Sequence, residues 1–552
     1  MTMLRKWPAF VGLAAMTVNL AAPAYAFDFK GAHPVLTATP IKHLIVIFQE
    51  NVSFDHYFGT YPHASNPAGE PKFYAAPFTP WVNNLEQDSL LTNNPNLNSA
   101  NGVGATNPFR LDRTQAATAD QNHNYTPEQQ AEDDGRMDLF PKYTGTASTG
   151  GAGAFGTTGQ VMGYYDGNTV TALWNYAQHF AMSDNAYGAG FGPSTPGAIE
   201  VVSGQTNGYQ SAVGTKSAAY VADGQGGYTD IGDEDPAGDA CSSTTQQMRM
   251  LGHNIGDLLN QNDISWGSFM GGFDLSLTNA NGTTGCGRSS ISTVTGTTAD
   301  YIPHHAWFQY YASTANPTHA RPASVQAIGH SNDPNGALDP ANHEYDVNDF
   351  YAAVEHGNFP AVAYIKAPAY QDAHPGYSDP LDEQAFIVQL VNFLEQRPEW
   401  RETAIVINYD DSDGWYDHQY VSPTSASYSS ADQLNGTAIC GKGTQPDGLL
   451  GLPVNGRCGP GPRLPFMVIS PYAKPNYVSH EYITQASVVR FIEDNWLHGE
   501  RLGGGSSDAT AGSLMDLFDF RTPFLNEPLF LDTQSGEPVD HPWPFLLSAR
   551  VP

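Results

Sequence analysis

The chain has 552 residues and carries 56 Asp and Glu against 24 Lys and Arg, a formal net charge of −32. So acidic a balance excludes nucleic-acid binding through the overall field and recruitment to anionic membranes by bulk charge. An anionic substrate would need local positive charge, from a metal or from protonated histidines. The 40% hydrophobic content supports a sizeable core, while 55 Gly and 40 Pro assign much of the chain to loops and turns.

In chain order, Arg5 and Lys6 precede the apolar run Trp7–Ala22, which closes on Ala24-Tyr25-Ala26. That pattern predicts a signal peptide over 1–26 and an exported chain, periplasmic or secreted. Asn19 and Pro23 interrupt the run, so it does not read as a membrane span, and no later stretch does either. Residues 27–552 read as one domain with long loop insertions.

Ile41–Phe48 is short, rich in β-branched residues and nearly all apolar, as a strand buried on both faces would be. Glu50 and Asn51 follow it at once. Three further runs have the same character: Ala361–Ile365 leads to Asp372 and His374, Ala404–Asn408 to Asp410 and Asp411, and Pro465–Ile469 to Ser470. Helical patterns over Thr169–Phe180, Thr244–Leu259, Leu381–Leu394 and Tyr482–Leu497 alternate with them. This alternation predicts an α/β sandwich around a mainly parallel sheet, with ligands beyond the carboxyl ends of the strands. Asn93–Asn107, Thr144–Gly159, Thr283–Thr298 and Ser422–Gly461 read as surface loops. Four cysteines in an exported chain predict two disulfides, with sequence-local pairing giving Cys241–Cys286 and Cys440–Cys458.

The chemistry-bearing residues cluster at the predicted strand ends. Glu50-Asn51 and Asp410-Asp411 offer hard oxygen donors suited to a divalent metal, although Asn and Asp serve equally as caps and turn residues. Ser194 lies in a predicted tight Gly/Pro turn, Gly190 to Gly197, before the apolar Ala198–Val202. A metal there would activate its hydroxyl; the plain alternative is a turn serine. His123, the pair His304-His305, His374 and His418 stand beside these segments and can bind phosphate oxygens or move protons.

Together these residues resemble the bacterial acid phosphatase and phospholipase C family. The segment from Glu50 to Gly59 looks like its ENxSFDxYFG signature, and Asp410 to His418 looks like its second signature. Asp120-x-x-His123 followed by Gly135-Arg136-Met137-Asp138, and Arg463 to Tyr472, are further matches. The resemblance implies an alkaline-phosphatase-like α/β fold. It places one divalent metal, which could be Mg, Ca, Mn, Fe or Zn, on Glu50, Asn51, Asp410, Asp411 and the Ser194 oxygen. It makes Ser194 the nucleophile and His123, His304, His305 and His374 the phosphate-binding and acid–base groups. The leaving group would be protonated by His304 or His305, with His123 and His374 holding substrate; Asp417 and His418 receive no role. Phospholipase C members resemble Thr-Asp-Pro-Asn-Arg around the nucleophile, where this chain has Ser194-Thr195-Pro196-Gly197-Ala198. That departure points first to an acid phosphatase acting on small phosphate monoesters through a phosphoserine. The alternatives are a phospholipase C-type phosphodiesterase and a non-enzymatic secreted binding protein. Neither nucleic acid nor stable membrane insertion enters any of the three, and the oligomeric state is left open.

Overall fold

A computed structural model describes residues 36–214, 216, 218–522 and 526–540. The predicted signal peptide lies outside them. Among the described residues no helix is long and apolar enough to cross a membrane.

The core of the segment from Thr37 onward is an eight-stranded sheet. In chain order its strands are β1 (His43–Gln49), β2 (Ala181–Ser183), β3 (Trp266–Met270), β4 (Glu344–Asp346), β5 (Val362–Lys366), β6 (Thr403–Tyr409), β7 (Phe466–Ile469) and β8 (Tyr477–Ser479). The spatial order is β4-β3-β5-β1-β6-β7-β2-β8. β7 alone runs against its neighbours, pairing antiparallel with both β6 and β2. The other pairings are parallel. Every residue of β5 and β6 is buried, and all but His43 in β1, because a parallel sheet is covered on both faces. The expected α/β architecture is therefore present, and the four strands expected from the apolar runs are β1, β5, β6 and β7.

Eight helices are used below: α1 (Phe54–Phe58), α2 (Tyr125–Glu132), α3 (Thr171–His179), α4 (Ser194–Ser203), α5 (Ile255–Gln261), α6 (Val347–Glu355), α7 (Pro380–Glu395) and α8 (Ala486–Trp496). Three expected helices correspond to α3, α7 and α8. The fourth does not hold as drawn. Within Thr244–Leu259 the chain first forms a strand, Gln247–Met250, paired antiparallel with Tyr209–Val213. Gly252, at φ +95°, then turns it, and Asn254 starts α5 with a capping box to Asp257. The Ser194 turn is a second correction: Pro193 is the N-cap and Ser194 the first residue of α4, which also absorbs Ala198–Val202. The Thr283–Thr298 loop contains most of a hairpin, Ser289–Ser292 with Gly296–Ala299. Both expected disulfides are present, Cys241–Cys286 and Cys440–Cys458.

Candidate active site

β1, β5 and β6 are adjacent and parallel, so their carboxyl ends deliver Glu50-Asn51, Asp372 and Asp410-Asp411 to one edge of the sheet. Backbone bonds lock the three connections together. Glu50 N donates to Asp372 O at 2.8 Å and Val52 N to Asp411 O at 2.9 Å. Asn51 adopts φ +54°, tolerable for Asn, with its N–H bonded to Asp410 Oδ1 at 2.8 Å. α4 brings Ser194 into this cluster. Its Oγ lies 3.3 Å from Asp411 Oδ2 and 3.4 Å from Asn51 Oδ1. Thr195 N donates to Asp233 Oδ1 at 2.9 Å and steadies the helix start. Gly197 lets the helix approach: a Cβ there would stand 2.2 Å from the backbone oxygen of Asp410.

The buried charges of this cluster do not balance among themselves. Burial pushes the Glu50 carboxyl well above the usual range, Asp410 adds to the push, and Lys366 opposes it. Burial and Asp410 likewise raise Asp411. Burial carries Asp372 up to about 7. The Asn51 side-chain oxygen faces Glu50 Oε2 at 2.7 Å and Asp410 Oδ2 at 3.3 Å, while its Nδ2 faces Nε2 of His374 at 3.2 Å and of His123 at 3.3 Å. With its amide swapped, Asn51 would donate to the two carboxylates and accept from His374 Nε2. Buried hard oxygens that repel one another in this way fit a divalent cation.

The histidines ring this cluster. His123 Nδ1 lies 3.0 Å from Asp413 Oδ1 and 3.5 Å from Asp120 Oδ1. His305 Nδ1 lies 3.4 Å from Glu50 Oε1, and its Nε2 is buried without a partner. The His374 ring lies 5.8 Å from that of His123 and 6.4 Å from that of His305. His304 packs edge-on against His305 at 4.5 Å, remains the most exposed of the four, and faces Asp235. Their protonation divides them. Burial lowers His305 well below the ordinary imidazole value, assisted by His304 and Lys366. Burial and His123 bring His374 down to about 3. Burial also opposes charge on His304, but Asp235 and Asp233 outweigh it and the group is raised. The same holds for His123, which Asp411, Asp413 and Asp120 raise well above its ordinary value.

The nine residues to which the resemblance gives a role thus converge on one edge of the sheet, whereas His418 pairs with Asp55 apart from them. A family model described as the phosphoesterase family matches residues 41–497 of this chain. The chain belongs to the phosphoesterase family. Similar members are a non-hemolytic phospholipase C of Burkholderia pseudomallei, 25% identical over 91% of this chain and 62% of that protein, and phospholipase C A of Mycobacterium tuberculosis, 23% identical over 93% of this chain and 84% of that protein. A non-hemolytic phospholipase C of Pseudomonas aeruginosa is 32% identical over 31% of this chain and 25% of its own length. This phosphoesterase therefore spans less than two thirds of the length of the Burkholderia and Pseudomonas relatives.

Several groups at the site of this phosphoesterase carry only a weak sequence signal or none. Lys366, at 1% exposure, contacts Glu50 through Nζ; its only signal is a charge closing a buried strand. Glu128 of α2 accepts from Gly192 N at 2.9 Å and from Ser412 Oγ at 2.7 Å, joining the loop before Ser194 to the second signature. Nothing in a polar helix distinguishes it beforehand. Asp417 and His418 belong to an ion cluster set aside from the site. The fully buried Arg463 binds Asp417 and Asp55 at 3.1 Å and stacks on Phe54, while His418 Nδ1 meets Asp55 at 2.6 Å. The cluster fastens the first signature to the second. Arg136, from the third motif, lies at the surface paired with Asp133.

Ligand atoms of His, Cys, Asp or Glu lie within 4.8 Å of one another in three groups among the described residues. In Asp239–Cys241–His319 the cysteine is in a disulfide. Asp55–Asp417–His418 is already neutralised by Arg463. Asp120–His123–His374 forms the flank of the candidate active site.

Proposed function

We propose that this chain hydrolyses phosphoric esters with Ser194 as nucleophile, and that its substrates are phosphodiesters of the phospholipase C type. The observation that carries the reading is the Ser194 hydroxyl at the N-terminus of α4, within 3.4 Å of both Asn51 and Asp411, in the carboxylate cluster that the four histidines flank. The relatives, which carry phospholipase C names over nearly the whole chain, favour the diester over the monoester first read from the sequence.

Glu50, Asn51, Asp410, Asp411 and Ser194 would hold the divalent cation, which when bound supplies fixed positive charge beside the phosphoryl group and the serine oxygen. The Ser194 proton passes to Asp411 Oδ2 as Oγ attacks phosphorus. The phosphorus–oxygen bond to the alcohol breaks, and that oxygen takes a proton from His304, the most exposed of the four, whose acid form Asp235 and Asp233 favour. His123 donates to a phosphoryl oxygen, and neutral His305 and His374 complete the wall. Water then attacks the phosphoserine and gives its proton to the now neutral His304, while Ser194 regains the proton from Asp411.

One observation favours the phosphomonoesterase reading. Position 197, Asn in the phospholipase C pattern, is here a glycine with no room for a side chain against Asp410. Hydrolysis of p-nitrophenyl phosphate and p-nitrophenyl phosphorylcholine by wild type and Ser194→Ala tests both readings. The nucleophile assignment predicts that the variant is folded and inactive; full activity in Ser194→Ala would overturn it. Preference for the phosphorylcholine ester supports the diesterase, and preference for the monoester supports the acid phosphatase. Absence of turnover on either would leave the non-enzymatic binding protein. Two disulfides support export of the chain, periplasmic or secreted.

A further inference from the structure

A groove of about 750 Å³ opens beside the nucleophile loop. Its floor includes Tyr125 and Ile231, which are buried. One wall is the strand Tyr220–Ala222; another is the loop at Ser430 and Ala431, tied to α2 by Thr126 Oγ1 donating to Ala431 O at 2.7 Å. The floor packs against Gly192 of the loop that leads to Ser194. A Cβ there would meet Ile231 O at 3.2 Å and Tyr125 Cβ at 3.7 Å, so the glycine lies directly behind the floor. Its φ of +115° also bars other residues from the position without strain. Ser194 is two residues on, at most about 7 Å along the chain.

The chemistry of the two compartments differs. The phosphoryl site is built from carboxylates, imidazoles and a lysine. Among the described residues the groove is lined by no charged side chain, although the chain carries a net charge of −32. Two acids beside the groove are buried: Asp432 lies behind the floor, where it accepts the Tyr125 hydroxyl at 2.7 Å, and Asp223, between Ala222 and Gly224, accepts from Asn207 Nδ2 at 3.1 Å and from Gln225 N at 2.7 Å. The Tyr220 ring is held in place between Tyr209 at 4.6 Å and Tyr228 at 4.9 Å, a preformed aromatic surface. Hydroxyls, amides and small apolar side chains make up the remainder. A concave, uncharged and partly aromatic surface of this size suits the organic part of a substrate. It offers no carboxylate to a cationic headgroup.

We propose that this groove binds the uncharged alcohol arm of the ester, a glyceride or an aryl alcohol. The proposal rests on the Ser194 reading. It assigns the Tyr220–Ala222 strand and the Ser430–Ala431 loop a specificity role, separate from the groups that touch phosphorus.

The test introduces a charge at the exposed wall position Ala222. KM and kcat for monomeric dihexanoylphosphatidylcholine and for p-nitrophenyl phosphate, and Ki for inorganic phosphate, are measured for wild type, Ala222→Glu and Ala222→Gln. A carboxylate facing an uncharged arm should raise KM about ten- to a hundredfold. Values of kcat and phosphate Ki should stay near wild type, and the neutral Gln variant should retain most of the affinity. A response confined to the lipid makes the arm a glyceride; one confined to the nitrophenyl ester makes it an aryl alcohol. The proposal is overturned if neither KM moves, if Glu and Gln act alike, or if phosphate Ki rises in parallel with KM. Calorimetric binding of dihexanoylglycerol, weakened by Ala222→Glu but not by Ser194→Ala, addresses the groove even if wild type hydrolyses neither ester. No binding to wild type would then overturn the glyceride form, and binding of p-nitrophenol, read in the same way, decides the aryl form.

Discussion

Replacing Gly197 by Ala adds one methyl group where α4 crosses the carboxyl end of β6. That Cβ would stand 2.2 Å from Asp410 O, 2.7 Å from Asp410 C and 2.9 Å from Asp410 Cα, whereas ordinary contact begins at 3.4 Å. The obstacle is backbone, held on one side by the sheet and on the other by Gln485 Nε2, which donates to the same oxygen. Relief therefore requires the start of α4 to retreat by roughly 1 Å, carrying Ser194 with it. A displacement of that size at a reacting group costs about a hundredfold in rate, and the strain left behind costs about 1–3 kcal/mol in stability. The assay is kcat on the better of the two nitrophenyl esters, with a thermal melt to confirm folding. Gly287→Ala, whose Cβ would meet nothing within 4 Å, is the control and should match wild type in both. A folded Gly197→Ala enzyme with kcat within about threefold of wild type, far short of the expected loss, would refute the argument that this approach sets the nucleophile.

Three other outcomes are expected. His304 is raised by Asp235 and Asp233, so its acid form persists above the ordinary imidazole value and is lost as pH rises. Wild-type kcat should fall on that alkaline limb, and His304→Gln should lower kcat by about 10²–10⁴ and abolish the limb; an unchanged limb would assign the proton to another group. Lys366→Met leaves Glu50 facing Asp410 without its lysine, so chelation with EDTA should lower the melting temperature more in the variant than in wild type. Equal chelator effects, read by differential scanning fluorimetry, would show that Lys366 does not share the charge of this site with a cation. Arg463→Met leaves Asp55 and Asp417 buried together and should cost about 3–5 kcal/mol in urea unfolding. A loss below about 1 kcal/mol, the scale of an exposed pair, would mean that the cluster does not fasten the two signatures.

The parts of this protein legible in its sequence are those whose causes are local. A run such as Ala404–Ile407 must be buried on both faces because each successive side chain is apolar, and Asp410-Asp411 must then emerge beyond its end. The same reasoning places Glu50-Asn51 beyond β1, and pairing each cysteine with its neighbour in the chain matches the two disulfides, although the sequence left three connectivities open. Local patterns misled where a neighbour decided the outcome: Gln247–Met250 became a strand because Tyr209–Val213 lies beside it, and the apparent turn at Ser194 became a helix start held by Asp233, 38 residues away in the chain. The site itself is a tertiary object. Lys366 reaches Glu50 across 316 residues of sequence, Arg463 reaches Asp55 across 408, and the four histidines divide because aspartates raise His123 and His304 while burial and neighbouring cations or histidines lower His305 and His374. Hydrophobic periodicity determines which segments are buried. Only packing determines which charges are buried together, because electrostatic energy depends on distance in space and not on distance along the chain.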